Sequence, residues 1–196
     1  MSEGLKYDPD SRAIGMFDSG VGGLTVLHAC LVNLPNEDYV YMGDTANFPY
    51  GPKDLDEVRG LAFAAAQALV ELGVKLIVVA CNSATSAALA QLQASFSTPI
   101  VGVVMPGAHA AVQATRSRRI GVLATEATVN SNAYQKALRS LDAGLEVTAV
   151  PCARLAPLIQ NGDVFSEEVE EAAREYVAPL RKADVDTGIL GSTHYP

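Results

Sequence analysis

A cysteine at the junction between an apolar run and a helix-forming sequence is the strongest chemical signal in this chain. Residues 76–88 read LIVVACNSATSAA. Five consecutive apolar residues, 76–80, fit a strand buried on both faces, as parallel sheets covered by helices require. Cys81 then stands at the strand's carboxyl end. Asn82 and Ser83 are both good N-cap residues, so the helix that follows points the positive end of its dipole at this loop. A thiol with an ordinary pKa of about 8.5 is only slightly ionised at neutral pH, and a helix N-terminus lowers that value; Cys81 is expected to be unusually acidic.

The chain closes on a similar arrangement. Residues 188–196, GILGSTHYP, form a short apolar stretch that ends in Gly191, Ser192, Thr193 and His194. Ser192 takes the place that Cys81 holds earlier. Two such loops facing one another across a cleft would reach a single carbon from both sides, the geometry for proton transfer on two faces. A first strand, 13–18, ends in Asp18, and Ser19 with Gly20, Gly22 and Gly23 lets the backbone turn sharply and approach a ligand. The glycine spacing departs from G-x-G-x-x-G and the acidic residue precedes the glycines, which argues against a nicotinamide cofactor. Loop 43–51, GDTANFPYG, is too rich in Gly, Pro and polar residues to be regular; it follows the strand at 38–42, on the edge where open α/β sheets bind ligands.

Positioning these loops requires a repeated strand and helix alternation. Further strands are expected at 100–104, 120–124, 146–150 and 187–190, with helices at 24–34, 55–72, 84–93, 132–141, 154–161 and 166–182 and another beginning near Pro106. The stretch TEATVNS, 125–131, reads as a strand-end loop. The pattern predicts an α/β fold of mainly parallel sheets flanked by helices, with right-handed crossovers. No linker-like stretch divides the chain; a boundary at 97–99 gives lobes 1–98 and 99–196.

The 196 residues are 49% hydrophobic with a formal net charge of -8, which fits a globular core and disfavours a nucleic-acid surface. Arg116, Arg118 and Arg119 form the one basic cluster, in a turn before a strand. The polar N-terminus lacks a signal-peptide core and no apolar run approaches about 18 residues, so a cytoplasmic protein without membrane contact is expected. Cys30, Cys81 and Cys152 are too few and too widely spaced for a disulfide framework or zinc site. Cys30 and Cys152 read as small apolar residues, and His28 and His109 as helix residues remote from chemistry. No lysine stands in a motif loop, so a pyridoxal Schiff base has no anchor.

Taken together, Asp18-Ser19 with the glycines through Gly23, GDTANFPYG, Cys81-Asn82, ATVNS and GSTHYP resemble the glutamate racemase family, in family order from residue 13 to the final residue. The resemblance implies two similar lobes with the active site in the cleft between them, no cofactor, no metal, and glutamate as the small-molecule substrate. It further implies an isomerase supplying D-glutamate for peptidoglycan, hence cell-wall biogenesis and cell shape, and leaves a homodimer open. By position, Cys81 is similar to the acid/base that takes the α-proton of D-glutamate, with Asp18 assisting. Ser19, Tyr50, Gly51, Asn82, Ser83, Thr193 and His194, together with Asp18, match the family's substrate contacts. His194 would also support the second acid/base, a cysteine in the family where this chain has Ser192.

That serine is the main departure, because a hydroxyl is far less acidic than a thiol and cannot readily serve as a base; racemisation is expected to be impaired. Ser83 replaces the usual Thr, and Gln160 stands where many members carry Glu. The family chains also continue past this point and return to complete the first lobe, so that lobe is expected to be incomplete here. Three rival readings follow from the same residues. One is a cysteine hydrolase using Cys81, His194 and Asp18; another is a sister aspartate racemase or one-cysteine decarboxylase; the third is a non-catalytic amino-acid-binding or regulatory module.

Overall fold

Residues 11–162 and 164–196 are described by a computed structural model; the polar N-terminal segment 1–10 lies outside them. The alternation expected from hydropathy produces two all-parallel sheets. The first is assembled from β1 (Ile14–Asp18), β2 (Tyr39–Gly43), β3 (Leu76–Val79) and β4 (Ile100–Gly102) in the order β2-β1-β3-β4. The second contains β5 (Arg119–Ala124), β6 (Glu146–Pro151) and β7 (Thr187–Gly191) in the order β6-β5-β7. In each sheet the first strand of the lobe lies inside and is buried, IGMFD in β1 and IGVLA within β5, because both faces are covered by helices.

The helices are α1 (Leu24–Asn33), α2 (Leu55–Glu71), α3 (Asn82–Ser95), α4 (Val104–Ala114), α5 (Glu126–Asn130), α6 (Ala133–Leu141), α7 (Leu155–Asn161) and α8 (Glu167–Lys182). α2 and α3 pack on the first sheet through Val58, Ala62, Leu69, Ala84, Ala88 and Leu92, around Phe17, Ile77 and Val79. In the second lobe, Ala108 of α4 and Leu138 of α6 close over Ile120 and Val122, while Leu155 and Leu180 cover Leu123 and Val150 on the other face. α8 shows why its sequence is helical: Ser166 Oγ caps Val169 N–H at 3.4 Å, Glu167, Glu168 and Glu170 occupy the first turn, and Arg181 and Lys182 the last. This charge order complements the helix dipole.

Three expectations change. Residues 100–102 hydrogen-bond with β3, with Ile77 opposite Ile100, so the first sheet extends to Gly102, past the 98/99 boundary. Strand pairing, not composition, decides where a sheet ends. The stretch 125–131 is no loop: Thr125 Oγ1 accepts from Thr128 N–H and starts the helix α5. The strand at 100–104 is also cut short, because residues 104 onward already form α4. The basic cluster is structural, as its turn position suggested. Asp186 accepts the backbone N–H groups of Arg116 and Ser117 at 2.7 Å each, and Arg118 and Arg119 pair with Asp142 and Asp184. No helix among the described residues is long and apolar enough to cross a membrane.

Candidate active site

The carboxyl edges of the two sheets face each other, and a narrow cleft of about 50 Å³ lies between them. Its wall includes Ser19, Tyr50, Gly51, Cys81, Asn82 and Ser83 from the first lobe and Thr125, Cys152, Ser192, Thr193 and His194 from the second. The structure thus brings positions 81 and 192 into one cavity, as their matching places at strand ends suggested. Neither Lys nor Arg is among the described lining residues. An anion bound here must therefore be held by hydroxyls, amides and backbone N–H groups, with the N-terminus of the fourteen-residue α3 directed at the cavity.

Cys81 is itself the N-cap of α3, a role the sequence assigned to Asn82 or Ser83. Its Sγ accepts from Ala84 N–H at 3.4 Å and donates to Ser19 Oγ at 3.6 Å. The expected acidity is not found. Burial removes the thiolate's hydration, the Asp18 carboxylate adds a like charge, and the helix N–H only partly offsets them, so the thiol is pushed up to about 12. Desolvation outweighs the helix terminus because the residue is 4% exposed. The resting group is a thiol, ready to donate a proton. Alkylation of Cys81 by iodoacetamide should consequently climb about tenfold per pH unit between about pH 7 and pH 10, without levelling near the ordinary thiol pKa of about 8.5. Mass spectrometry of digests separates this peptide from those of Cys30 and Cys152, and a plateau near pH 8.5 would show an acidic thiol instead.

Asp18, expected among the substrate contacts, lies fully buried behind the wall. Its Oδ2 accepts from Gly20 N–H at 3.0 Å and its Oδ1 from Thr193 Oγ1 at 3.2 Å. Burial raises its pKa, partly countered by Gly20 N–H and His194, while burial lowers that of His194 and Asp18 opposes the fall. Asp18 therefore meets the cavity wall through Thr193 and the glycine loop. The glycines also serve another purpose than expected. A Cβ on Gly22 would lie 2.6 Å from His194 Nδ1 and 2.7 Å from Thr193 Oγ1, and one on Gly23 would lie 2.5 Å from Asp18 Cβ. The loop admits the opposite lobe's site residues, and only Ser19 from it reaches the cavity.

His194 is fixed from three sides. Its Nε2 lies 2.6 Å from Gln160 Oε1, its Nδ1 lies 3.4 Å from Thr193 Oγ1, and Phe48 packs on its ring with centroids 5.3 Å apart. Gln160 thus places a neutral amide on the histidine. Ser192 Oγ accepts from His194 N–H at 3.4 Å. Tyr50 points its hydroxyl at Asp44 Oδ2, 2.6 Å away, and Ser83 Oγ meets Thr125 Oγ1 at 2.8 Å across the lobes. Thr125 and Phe48 carried no chemical signal in the sequence beyond their motif loops. Cys152, read as a packing residue, does pack: its Sγ donates to Val150 O at 3.4 Å, yet it also forms part of the cavity wall.

A family model for Asp/Glu/hydantoin racemases matches residues 25–196. The chain is 48% identical over 187 residues to the glutamate racemase of Corynebacterium diphtheriae, covering 95% of this chain and 70% of that one. The glutamate racemase of Mycobacterium tuberculosis is 48% identical over 183 residues, with 93% and 67% covered. The chain belongs to the glutamate racemase family. A glutamate racemase isoform of Bacillus anthracis superposes with a TM-score of 0.91 at 43% identity, over 94% of this chain and 70% of that structure. The Francisella tularensis glutamate racemase in complex with D-glutamate superposes at 0.90 with 36% identity, covering 96% and 71%. An aspartate racemase from Picrophilus torridus, at 18% identity and TM-score 0.64, shares the fold.

Proposed function

We propose that this protein acts on glutamate by cofactor-independent proton transfer between two lobes meeting near Gly102, with Cys81 serving one face of the α-carbon and position 192 the other. The observation that carries the reading is the shared cavity that holds Cys81 and Ser192 at matching strand ends. Free D-glutamate would enter with its ammonium group, whose positive charge counters the like-charge pressure of Asp18 on Cys81. A minor thiolate fraction, whose proton has passed to solvent and which the bound ammonium favours, then removes the α-proton and becomes the thiol, leaving a carbanion stabilised by the donors around the cavity. Return of the proton from Cys81 regenerates D-glutamate; inversion requires a proton from the opposite side.

With L-glutamate the roles reverse, and there the serine matters. The thiol of Cys81 is already the required acid, but position 192 must be the base, and a serine hydroxyl holds its proton too tightly for that task. The resulting enzyme is half-competent: it activates D-glutamate more readily than it inverts it. In this reading Asn82, Ser83, Thr193, Tyr50, Gly51 and Ser19 contact the substrate. A cytoplasmic role in supplying D-glutamate for peptidoglycan, cell-wall biogenesis and cell shape goes with the family.

The deciding measurement is α-hydrogen exchange in D₂O, followed by proton NMR on each enantiomer beside polarimetry. Deuterium is expected to enter D-glutamate at least about tenfold faster than L-glutamate and faster than optical activity is lost. Equal exchange of both enantiomers, keeping pace with racemisation, would refute the asymmetry. Binding without any exchange would make the protein a non-catalytic amino-acid binder, and an acyl adduct on Cys81 with an ester substrate would favour a cysteine hydrolase.

A further inference from the structure

We infer that Tyr134 is a positioning residue that sets the orientation of the Asn82 amide and braces the loops carrying positions 81 and 192, a role that rests on the glutamate reading above. Tyr134 lies in the first turn of α6, in the second lobe, and is 3% exposed. Its hydroxyl donates to Asn82 Oδ1 at 2.7 Å, a buried bond between residues 52 apart in sequence that crosses from one lobe to the other. The same ring rests on the second site loop. A Cβ added to Gly191 would lie 3.1 Å from Tyr134 Cε2, and one added to Gly107 would lie 3.4 Å from its hydroxyl. One rigid side chain therefore touches the residue that follows Cys81 and the residue that precedes Ser192.

The consequence for ligand recognition comes from the donor and acceptor inventory of an amide. Asn offers one carbonyl oxygen and one NH₂ group. Burial keeps the Tyr134 phenol far above its ordinary pKa, so it remains a proton donor throughout the working range. With Oδ1 engaged by that donor from behind, the amide turns its NH₂ toward the cavity that Asn82 lines. A donor is what a carboxylate requires in a wall without Lys or Arg. The flipped amide would present a carbonyl oxygen and repel it. Ser83, next in sequence, makes a second cross-lobe bond to Thr125, so both residues after the thiol are oriented from the opposite lobe.

Tyr134→Phe keeps the ring on Gly191 and deletes only the hydroxyl. Its half-saturating concentration for D-glutamate, read from deuterium exchange and from calorimetric titration, is expected to rise about tenfold, the loss of one charge-assisted hydrogen bond. Exchange at saturation should fall no more than about twofold, placing the effect on binding. Asn82→Ala should weaken binding to a similar extent, and the double variant no further than Asn82→Ala alone, since both changes remove one interaction. Unchanged affinity in Tyr134→Phe overturns the inference, even where its melting temperature falls, because the hydroxyl would then serve packing only. Fully additive losses in the double variant overturn it as well. If the parent binds glutamate but exchanges no hydrogen, the proposed reaction fails while calorimetry still decides the role of Tyr134; if the parent binds no glutamate, both are refuted.

Discussion

Cys81→Ala is expected to reduce deuterium exchange into D-glutamate by at least about 10²-fold, and up to about 10⁴-fold, the span lost when one positioned acid/base is removed. The residue is the thiol that the first lobe contributes to the cavity wall, capping α3 and bonded to Ser19 Oγ. Asp18 lies behind the wall with both oxygens engaged, and His194 is tied to Gln160 and Thr193. Alanine fits the site without strain, since Ala80 and Ala84 beside it are already fully buried small residues. The fold should therefore survive, with a circular dichroism spectrum matching the parent. Cys30→Ala, on the half-buried face of α1 away from the cleft, is the matching control and should exchange at the parental rate. Retention of exchange in Cys81→Ala would remove the sulfur from the mechanism altogether.

Ser192→Cys is expected to raise the racemisation rate by about 10² to 10⁴ in both directions and to make exchange of L-glutamate comparable to that of D-glutamate. Position 192 is 5% exposed and lines the same cavity as Cys81, and its Oγ accepts a long hydrogen bond from His194 N–H at 3.4 Å. A sulfur has room to replace oxygen there at the cost of small shifts in side chains. The gain follows from acidity: a thiol exchanges its proton near neutral pH and can act as base toward L-glutamate and as acid toward the carbanion formed from D-glutamate, whereas an alkoxide is out of reach. Polarimetry on both enantiomers checks the result. A parent that already racemises as fast as the variant would show that Ser192 is no handicap and that another group supplies the second proton.

How much of this was legible beforehand follows from the range of the forces involved. The strand at 76–79, the cysteine at its end and the helix after it were readable because five apolar residues in a row and a cap-rich junction are local facts. The same holds for the alternation that produced two parallel sheets, and for the place of Ser192 after β7. The sequence overstates the acidity of Cys81, because the helix N-terminus is visible in it while the burial that outweighs that terminus depends on residues far away. The glycine run at 20–23 reads as an approach to ligand, but the neighbours of Gly22 are Thr193 and His194, more than 160 positions distant.

By itself, then, the sequence determined the chemistry available at two strand ends, a thiol and a hydroxyl, together with the local propensities that put each at the edge of a sheet. Only the tertiary structure decided that these ends share one cavity, that Asp18 stays behind its wall, and that Tyr134 and Thr125 reach across to orient Asn82 and Ser83. Propensity and hydropathy act over a few residues along the chain, whereas desolvation and cross-lobe hydrogen bonds act through space between segments whose separation in sequence carries no pattern.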